Sequence, residues 1–132
     1  MHVMEAFSLK DKVALVTGGA GLYGRQIVAA LAEAGARVYM ASRNLAAQEK
    51  VAAEFRAQGY DVRAKPLDQG DEASILALRD AILAESGRLD VLVNNAVLRP
   101  MKDGYHGDAA TFDESMHVNA TGLFMITRAF GD

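Results

Sequence analysis

The sequence predicts an α/β fold built on a doubly wound parallel sheet. Three observations carry that expectation. Short, near-continuous apolar runs alternate with longer stretches of helical periodicity, the joints between them are brief, and no low-complexity linker interrupts the alternation. Parallel neighbours need a crossover, normally a helix, so the alternation itself implies parallel strands with helices on the faces.

Residues 13–16 (Val-Ala-Leu-Val) are apolar throughout, as a strand covered on both faces must be. A glycine-rich turn follows, then an alanine- and leucine-rich helix over 25–34 that Gly35 terminates. The second strand is expected at 38–41. Asn44 is placed to cap a helix running to about Gln58, with Leu45, Val51 and Phe55 on its buried side and Gly59 closing it. Residues 61–67 alternate more than the other runs and contain Pro66, which cannot donate to a ladder, so they predict an edge strand. Asp71 opens a third helix in which Ile75, Leu78 and Ile82 recur at helical spacing, ending near Gly87. Residues 89–93 give a fourth strand. Pro100, Gly104 and Gly107 break any periodicity up to Ala110, after which Thr111-Phe112-Asp113-Glu114 reads as a capping box opening a last helix towards Phe130.

Composition bounds the function. The 132 residues suffice for one domain, residues 1–132, on a prior of roughly 100–200 residues per domain. Hydrophobic content of 51% and charged content of 23% describe an ordinary globular chain. A net charge of -3 gives no electrostatic case for nucleic acid or an anionic membrane. The absence of cysteine excludes disulfides and thiolate metal sites and favours a reducing, cytoplasmic setting. The start, Met1-His2-Val3-Met4-Glu5, lacks the basic and apolar regions of a signal peptide, and no run approaches the roughly 18 apolar residues of a membrane helix. His2, His106 and His117 have no partners at ligand spacing, so neither a metal centre nor a nucleophile triad is expected. The six methionines read as core filler.

Four constellations could carry chemistry. Thr17-Gly18-Gly19-Ala20-Gly21-Leu22-Tyr23-Gly24, set between a strand and a helix, is the arrangement that cradles a dinucleotide pyrophosphate. It lacks the G-K-[ST] of a triphosphate loop. At the end of the second strand stand Ser42 and Arg43. No acidic residue lies between Glu33 and Glu49, so the carboxylate that would bind a ribose 2′-hydroxyl is missing. Arg43 is placed either to pair with a 2′-phosphate, favouring NADP(H) over NAD(H), or to sit in solvent beside a helix cap. Asp68 and Gln69 follow the third strand at the ligand crevice; Asp68 can accept from an adenine amino group or serve as a turn residue. The pair Asn94-Asn95 before Ala96 can tie strand ends together and line a cofactor floor, or form an ordinary turn.

Together with His117-Val118-Asn119, these four motifs stand in an order and spacing that resembles a classical short-chain dehydrogenase/reductase. The resemblance covers the chain from Leu9 onward. It implies a Rossmann-like domain in which Thr17, Gly18, Gly19, Gly21, Leu22, Tyr23 and Gly24 bind the cofactor phosphates and Asp68 the adenine. Asn94 and Ala96 would lie near the ribose and the nicotinamide, and Asn119 would match the helix-bending asparagine of the family's proton relay. It further implies a small alcohol or carbonyl substrate, of the sugar-acid or polyol kind, and a homo-oligomeric full-length enzyme.

Three departures matter. Leu22 stands where the family's middle glycine falls, although Gly19, Gly21 and Gly24 satisfy G-x-G-x-x-G. The motif Asn-Asn-Ala-Gly ends here in Val97, which narrows the space beside the nicotinamide. The family's Tyr-x-x-x-Lys is absent: four residues after Tyr23, Tyr39, Tyr60 and Tyr105 come Ile27, Arg43, Ala64 and Ala109. The expectation is therefore a truncated, cofactor-binding portion, incomplete on its C-terminal side, with its fourth strand left as an open edge and no turnover alone. The alternatives are a non-catalytic dinucleotide-binding or interaction module, and a methyltransferase-like domain, which Asn-Asn-Ala and the missing ribose carboxylate disfavour.

Overall fold

The computed structural model describes residues 2–131. The readings that rest on Met1 lie outside these residues. A short helix α1 (Val3–Ala6), not anticipated above, precedes β1 (Val13–Thr17), α2 (Leu22–Glu33), β2 (Arg37–Ser42), α3 (Leu45–Ala57), β3 (Val62–Pro66), α4 (Glu72–Ser86) and β4 (Val91–Val93). After a single 3-10 turn, α5 (Ala109–Met116) passes through a π-helical segment (His117–Thr121) into α6 (Gly122–Gly131).

The four strands form one parallel sheet in the order β3-β2-β1-β4. β1 is central and buried at all five positions, with Leu15 opposite both Tyr39 and Leu92. Successive strand side chains point to opposite faces. Accordingly Ala14 and Val16 join Val28, Val38, Met40, Val51 and Phe55 beneath α2 and α3, while Val13 and Leu15 join Tyr39, Ile75, Leu78, Ile82 and Ile126 beneath α4 and α6. Both faces are thus covered, which is why the central runs are apolar without alternation. β3 lies at one edge with Pro66 in it, as its alternation implied, and β4 at the other. Among the described residues no helix is long and apolar enough to cross a membrane.

The helix ends follow their capping chemistry. Asn44 Oδ1 accepts from Ala47 N–H at 3.0 Å and Asp71 Oδ1 from Ala73 N–H at 3.0 Å. Gly35, Gly59 and Gly87 turn the chain with positive φ after their helices. Charged groups pin the opposite end of the sheet. Asp90 Oδ2 accepts from Val13 N–H at 2.9 Å, and Asp61 accepts from Arg37 (2.8 Å) and Arg63 (2.9 Å).

Several expectations need correction. The last helix is capped by Asp108, whose Oδ1 receives both the N–H (2.8 Å) and the hydroxyl (2.6 Å) of Thr111, so Thr111 is the third helical residue and not the cap. A carboxylate at the cap meets the orphan amide better than a hydroxyl three residues later. Nor is that helix continuous, since the π segment divides it. α2 begins at Leu22, three residues before the expected start. Leu45 is 42% exposed, because the buried stripe of α3 starts one turn further in, at Gln48. Met40 is buried, but Met4 and Met116 are exposed and fill no core.

Candidate cofactor-binding site

The site lies at the carboxyl ends of the strands, where parallel α/β sheets bind ligands. β1 leads into a turn that begins with Gly18 at φ +67°, its N–H donating to Ala41 O at 2.8 Å. Gly21 N–H donates back to Gly18 O at 3.1 Å. Gly24 lets α2 close onto this turn: a β-carbon there would stand 2.2 Å from Gly18 O and 2.8 Å from Asn95 Nδ2. α2 has Gly21 at its N-cap and so no side chain to take its first amides. Those amides and the positive end of the helix remain for an anion. Leu22 and Tyr23 project from the first turn, exposed, at the mouth of the cleft.

The opposite wall is built from the segment after β4, and two side chains hold it. The Thr17 hydroxyl, fully buried, accepts from Asn95 N–H (3.1 Å) and Ala96 N–H (2.9 Å) and lies 3.4 Å from Val93 O. Asn95 returns the tie by donating from Nδ2 to Gly18 O at 3.1 Å. Further along, Asn119 accepts from Leu98 N–H at 2.8 Å and donates to Leu98 O at 2.6 Å, with a further bond to Ser115 Oγ at 3.2 Å. An asparagine in the π-helical segment thus pairs with Leu98 as a neighbouring strand would.

Between these walls runs a cleft of about 540 Å³. Of the residues expected from the sequence, Gly18, Gly21, Leu22, Tyr23, Ser42, Arg43, Asp68, Gln69 and Ala96 line it. Thr17, Gly19, Gly24 and Asn119 stand behind the wall and shape it. Asn94 does neither: it is exposed and its Nδ2 reaches Thr127 Oγ1 at 3.4 Å on α6. Its neighbour Asn95 is the amide of the pair that lines the cleft. Asp68 closes a turn through Oδ1 to Gly70 N–H at 3.0 Å and also lines the cleft, so its turn and ligand readings coexist. Ser42 Oγ is committed to Asn44 N–H at 3.2 Å.

Sequence reasoning missed Gln48, Leu98, Arg99 and Val118, all on the lining. Gln48 left a signal, a polar residue at helical spacing with Val51 and Phe55. Among the described residues Arg43 and Arg99 enter no ion pair. Two buried side-chain oxygens, Gln48 Oε1 and Gln69 Oε1, have no hydrogen-bond partner, although Gln69 Nε2 donates to Val118 O at 3.1 Å. Unpaired buried acceptors are uncommon in folded proteins. The uncapped helix and the glycine cradle suit a ligand bearing phosphates, which a dinucleotide is.

A family profile described as short chain dehydrogenase matches residues 12–132. The chain belongs to the short-chain dehydrogenase family. Its relatives include the D-threitol dehydrogenase of Mycolicibacterium smegmatis, 35% identical over 95% of this chain and 48% of that protein. Among solved structures, the NADP complex of RhlG from Pseudomonas aeruginosa superposes with a TM-score of 0.86 at 35% identity, covering 98% of this chain and 50% of that one. A gluconate 5-dehydrogenase from Burkholderia cenocepacia, in complex with NADP and tartrate, gives 0.86 at 30% identity over 98% and 51%. The chain spans about half the length of the short-chain dehydrogenases it matches.

Proposed function

We propose that these residues form the cofactor-holding part of an NADP(H)-dependent short-chain dehydrogenase that interconverts an alcohol and a carbonyl compound. The observation that carries the NADP(H) preference is Arg43. It lines the cleft at the end of β2, is exposed, enters no ion pair among the described residues, and has no carboxylate nearby in sequence to bind a free 2′-hydroxyl. NADP in the two solved relatives supports the same reading.

When bound, the nicotinamide supplies or accepts the hydride. The chain's residues bind and orient it: the first amides of α2 take the pyrophosphate, Arg43 the 2′-phosphate, and Asp68 and Gln69 the adenosine side. Ala96 and Val97 border the nicotinamide side, and Asn119 holds that wall in place through Leu98. In this role Asn119 is a positioning residue. Its side-chain amide protons are both committed, so its carboxamide has none left to give a relay water. A polyol or sugar acid is the substrate class we favour, from the names of the threitol and gluconate enzymes. The 132 residues alone turn over no carbonyl compound, since they contain no Tyr-x-x-x-Lys pair to move the proton. The cytoplasmic setting and the homo-oligomeric full-length state are part of the same reading. The relatives named as dehydrogenases do not favour a non-catalytic module.

Titration with NADPH and NADH, each against Arg43→Ala, tests the cofactor preference. The variant should lose about tenfold or more in NADPH affinity, the value of a charge-assisted hydrogen bond, and little in NADH affinity. Equal loss for both cofactors, or none, overturns 2′-phosphate recognition. Steady NADPH oxidation by the 132-residue chain with a panel of carbonyl compounds would overturn the claim of inactivity.

A further inference from the structure

We infer that His117, together with Gln69, is a positioning residue that makes the wall beside the nicotinamide answer to what fills the adenosine side of the cleft. The inference rests on the dinucleotide reading above and adds to it a link between the two ends. Three consecutive residues of the π-helical segment reach in two directions. His117 Nε2 pairs with Gly70 O at 2.6 Å; a carbonyl only accepts, so Nε2 carries the proton. Val118 O accepts from Gln69 Nε2 at 3.1 Å. Asn119 turns the other way and holds Leu98 by its N–H and C=O. Asp68 and Gln69 line the cleft at the end of β3, and Asp68 Oδ1 accepts from Gly70 N–H at 3.0 Å. The turn that meets a ligand is therefore the turn that His117 holds. The fit has no slack: a β-carbon at Gly70 would stand 3.3 Å from His117 Cδ2 and Val118 Cγ2, and one at Gly122 would stand 2.4 Å from Gln69 O.

The π-helical register depends on this grip. An α-helix offers each carbonyl the N–H four residues on, which for Val118 is that of Gly122. Here Gly122 N–H donates to His117 O instead, five residues back. Gln69 takes up the Val118 carbonyl so released, although its own Oε1 is left buried without a partner. An orphan acceptor weakens the fold, so the contact with Val118 outweighs it. Loss of the grip lets Gly122 N–H return to Val118 O. That shifts the register by one residue, about 100° around the helix axis, and carries Asn119 off Leu98. Coupling between separated sites needs an element with two discrete arrangements, and the two registers supply it. A ligand seated on Asp68 steadies the turn, His117 and Gln69 then favour the π register, and Asn119 closes on Leu98.

The test uses adenosine 2′,5′-bisphosphate, which carries the adenosine side of NADPH and no nicotinamide. Amide exchange is followed by NMR in the 132-residue chain, free and saturated with this probe. The reporters are Leu98 and, towards the other end of the sheet, Val38, whose N–H donates to Asp61 O. In the native chain the probe should slow Leu98 at least about fivefold more than Val38, the lower end of ordinary coupling between sites. His117→Phe keeps a ring of similar bulk without the donor, and His117→Gln returns an N–H. The phenylalanine chain should still bind the probe but lose the extra slowing, and the glutamine chain should regain most of it. A merely structural His117 would quicken Leu98 exchange in the free chain and leave the effect of the probe intact; that result overturns the inference. So does equal slowing of Leu98 and Val38 in the native chain, which is general stabilisation by a bound ligand and needs no variant to fold. Either result leaves the dinucleotide reading standing, because the probe has bound. A native chain that binds neither the probe nor NADPH overturns that reading and this inference with it.

Discussion

Asn119 grips Leu98 by both backbone groups, accepting from its N–H at 2.8 Å and donating to its C=O at 2.6 Å. The pairing connects the π-helical segment to a loop with no regular structure of its own, and that loop forms one wall of the cleft. Asn119→Ala removes both bonds at once. We expect a loss of about 1–3 kcal/mol in urea unfolding, since two part-buried backbone groups lose their partner. Hydrogen exchange at the Leu98 amide should quicken and NADPH affinity should fall. Unchanged protection at Leu98 would show that the loop holds itself.

Thr17 performs the matching task at the start of the same loop. Thr17→Val keeps the shape but removes the acceptor of Asn95 N–H and Ala96 N–H. The expected cost is about 1–3 kcal/mol, while Thr17→Ser, which keeps the hydroxyl, should cost less than half as much. Equal stability of the valine and native chains by urea titration would contradict the role given to this hydroxyl.

Gly24 and Gly21 make a steric contrast. Glycine to alanine inside a helix ordinarily stabilises it by about 0.5–1 kcal/mol. At Gly24 the sign should reverse, because the new β-carbon would meet Gly18 O at 2.2 Å, a backbone atom that cannot step aside. At Gly21 the nearest atom is Gly18 O at 3.4 Å and the φ is -72°, so alanine fits. Thermal melting should show Gly24→Ala lowered by several degrees and Gly21→Ala within a degree or two of the native chain. A Gly24→Ala chain as stable as the native one would mean that α2 can withdraw from the turn.

Acid should weaken the fold through its aspartates. Arg88, and then the Val13 N–H, hold Asp90 below the usual carboxylate range; the hydroxyl and N–H of Thr111 do the same for Asp108. Burial pushes Asp61 up, but hydrogen bonds and charge from Arg37 and Arg63 outweigh it and the net direction is down. Each folded value lies below the unfolded one, so the unfolded chain binds more protons in the window between them and stability falls as the pH drops through it. Stability from these groups should be complete above the ordinary aspartate value of about 3.9 and fade below it. Asp90→Asn and Asp108→Asn should flatten the acid limb of a stability–pH curve and leave its shape near neutrality unchanged. A limb of unaltered steepness in the double variant would assign acid lability elsewhere.

The order of strands and helices was readable because it depends on local chemistry. Both faces of β1 and β2 are buried, so their runs are apolar without interruption, and Asn44, Asp71, Gly35 and Gly87 punctuate the helices through bonds made within a few residues. The glycine turn was legible for the same reason, since Gly18 takes a positive φ and Gly24 abuts the backbone of Gly18, six residues before it. The cap of α5 escaped because Asp108 and Thr111 offer competing local signals, and only the carboxylate's stronger pairing decides between them.

What the tertiary structure alone decided is which polar side chain meets which distant partner. Nothing in Asn94-Asn95 says which amide turns to the cleft; the register of β4 against β1 does, by bringing Asn95 and not Asn94 to Gly18 and Thr17. Likewise Asn119 finds Leu98, and Gln48 comes to the cleft without a partner, only once α3, β4 and the π segment pack on the sheet. The parallel α/β scaffold and the phosphate turn were legible from residue order alone, because periodicity and backbone sterics act over short spans. The walls of the site arise from hydrogen bonds between residues 21 to 79 positions apart, and those exist only in three dimensions.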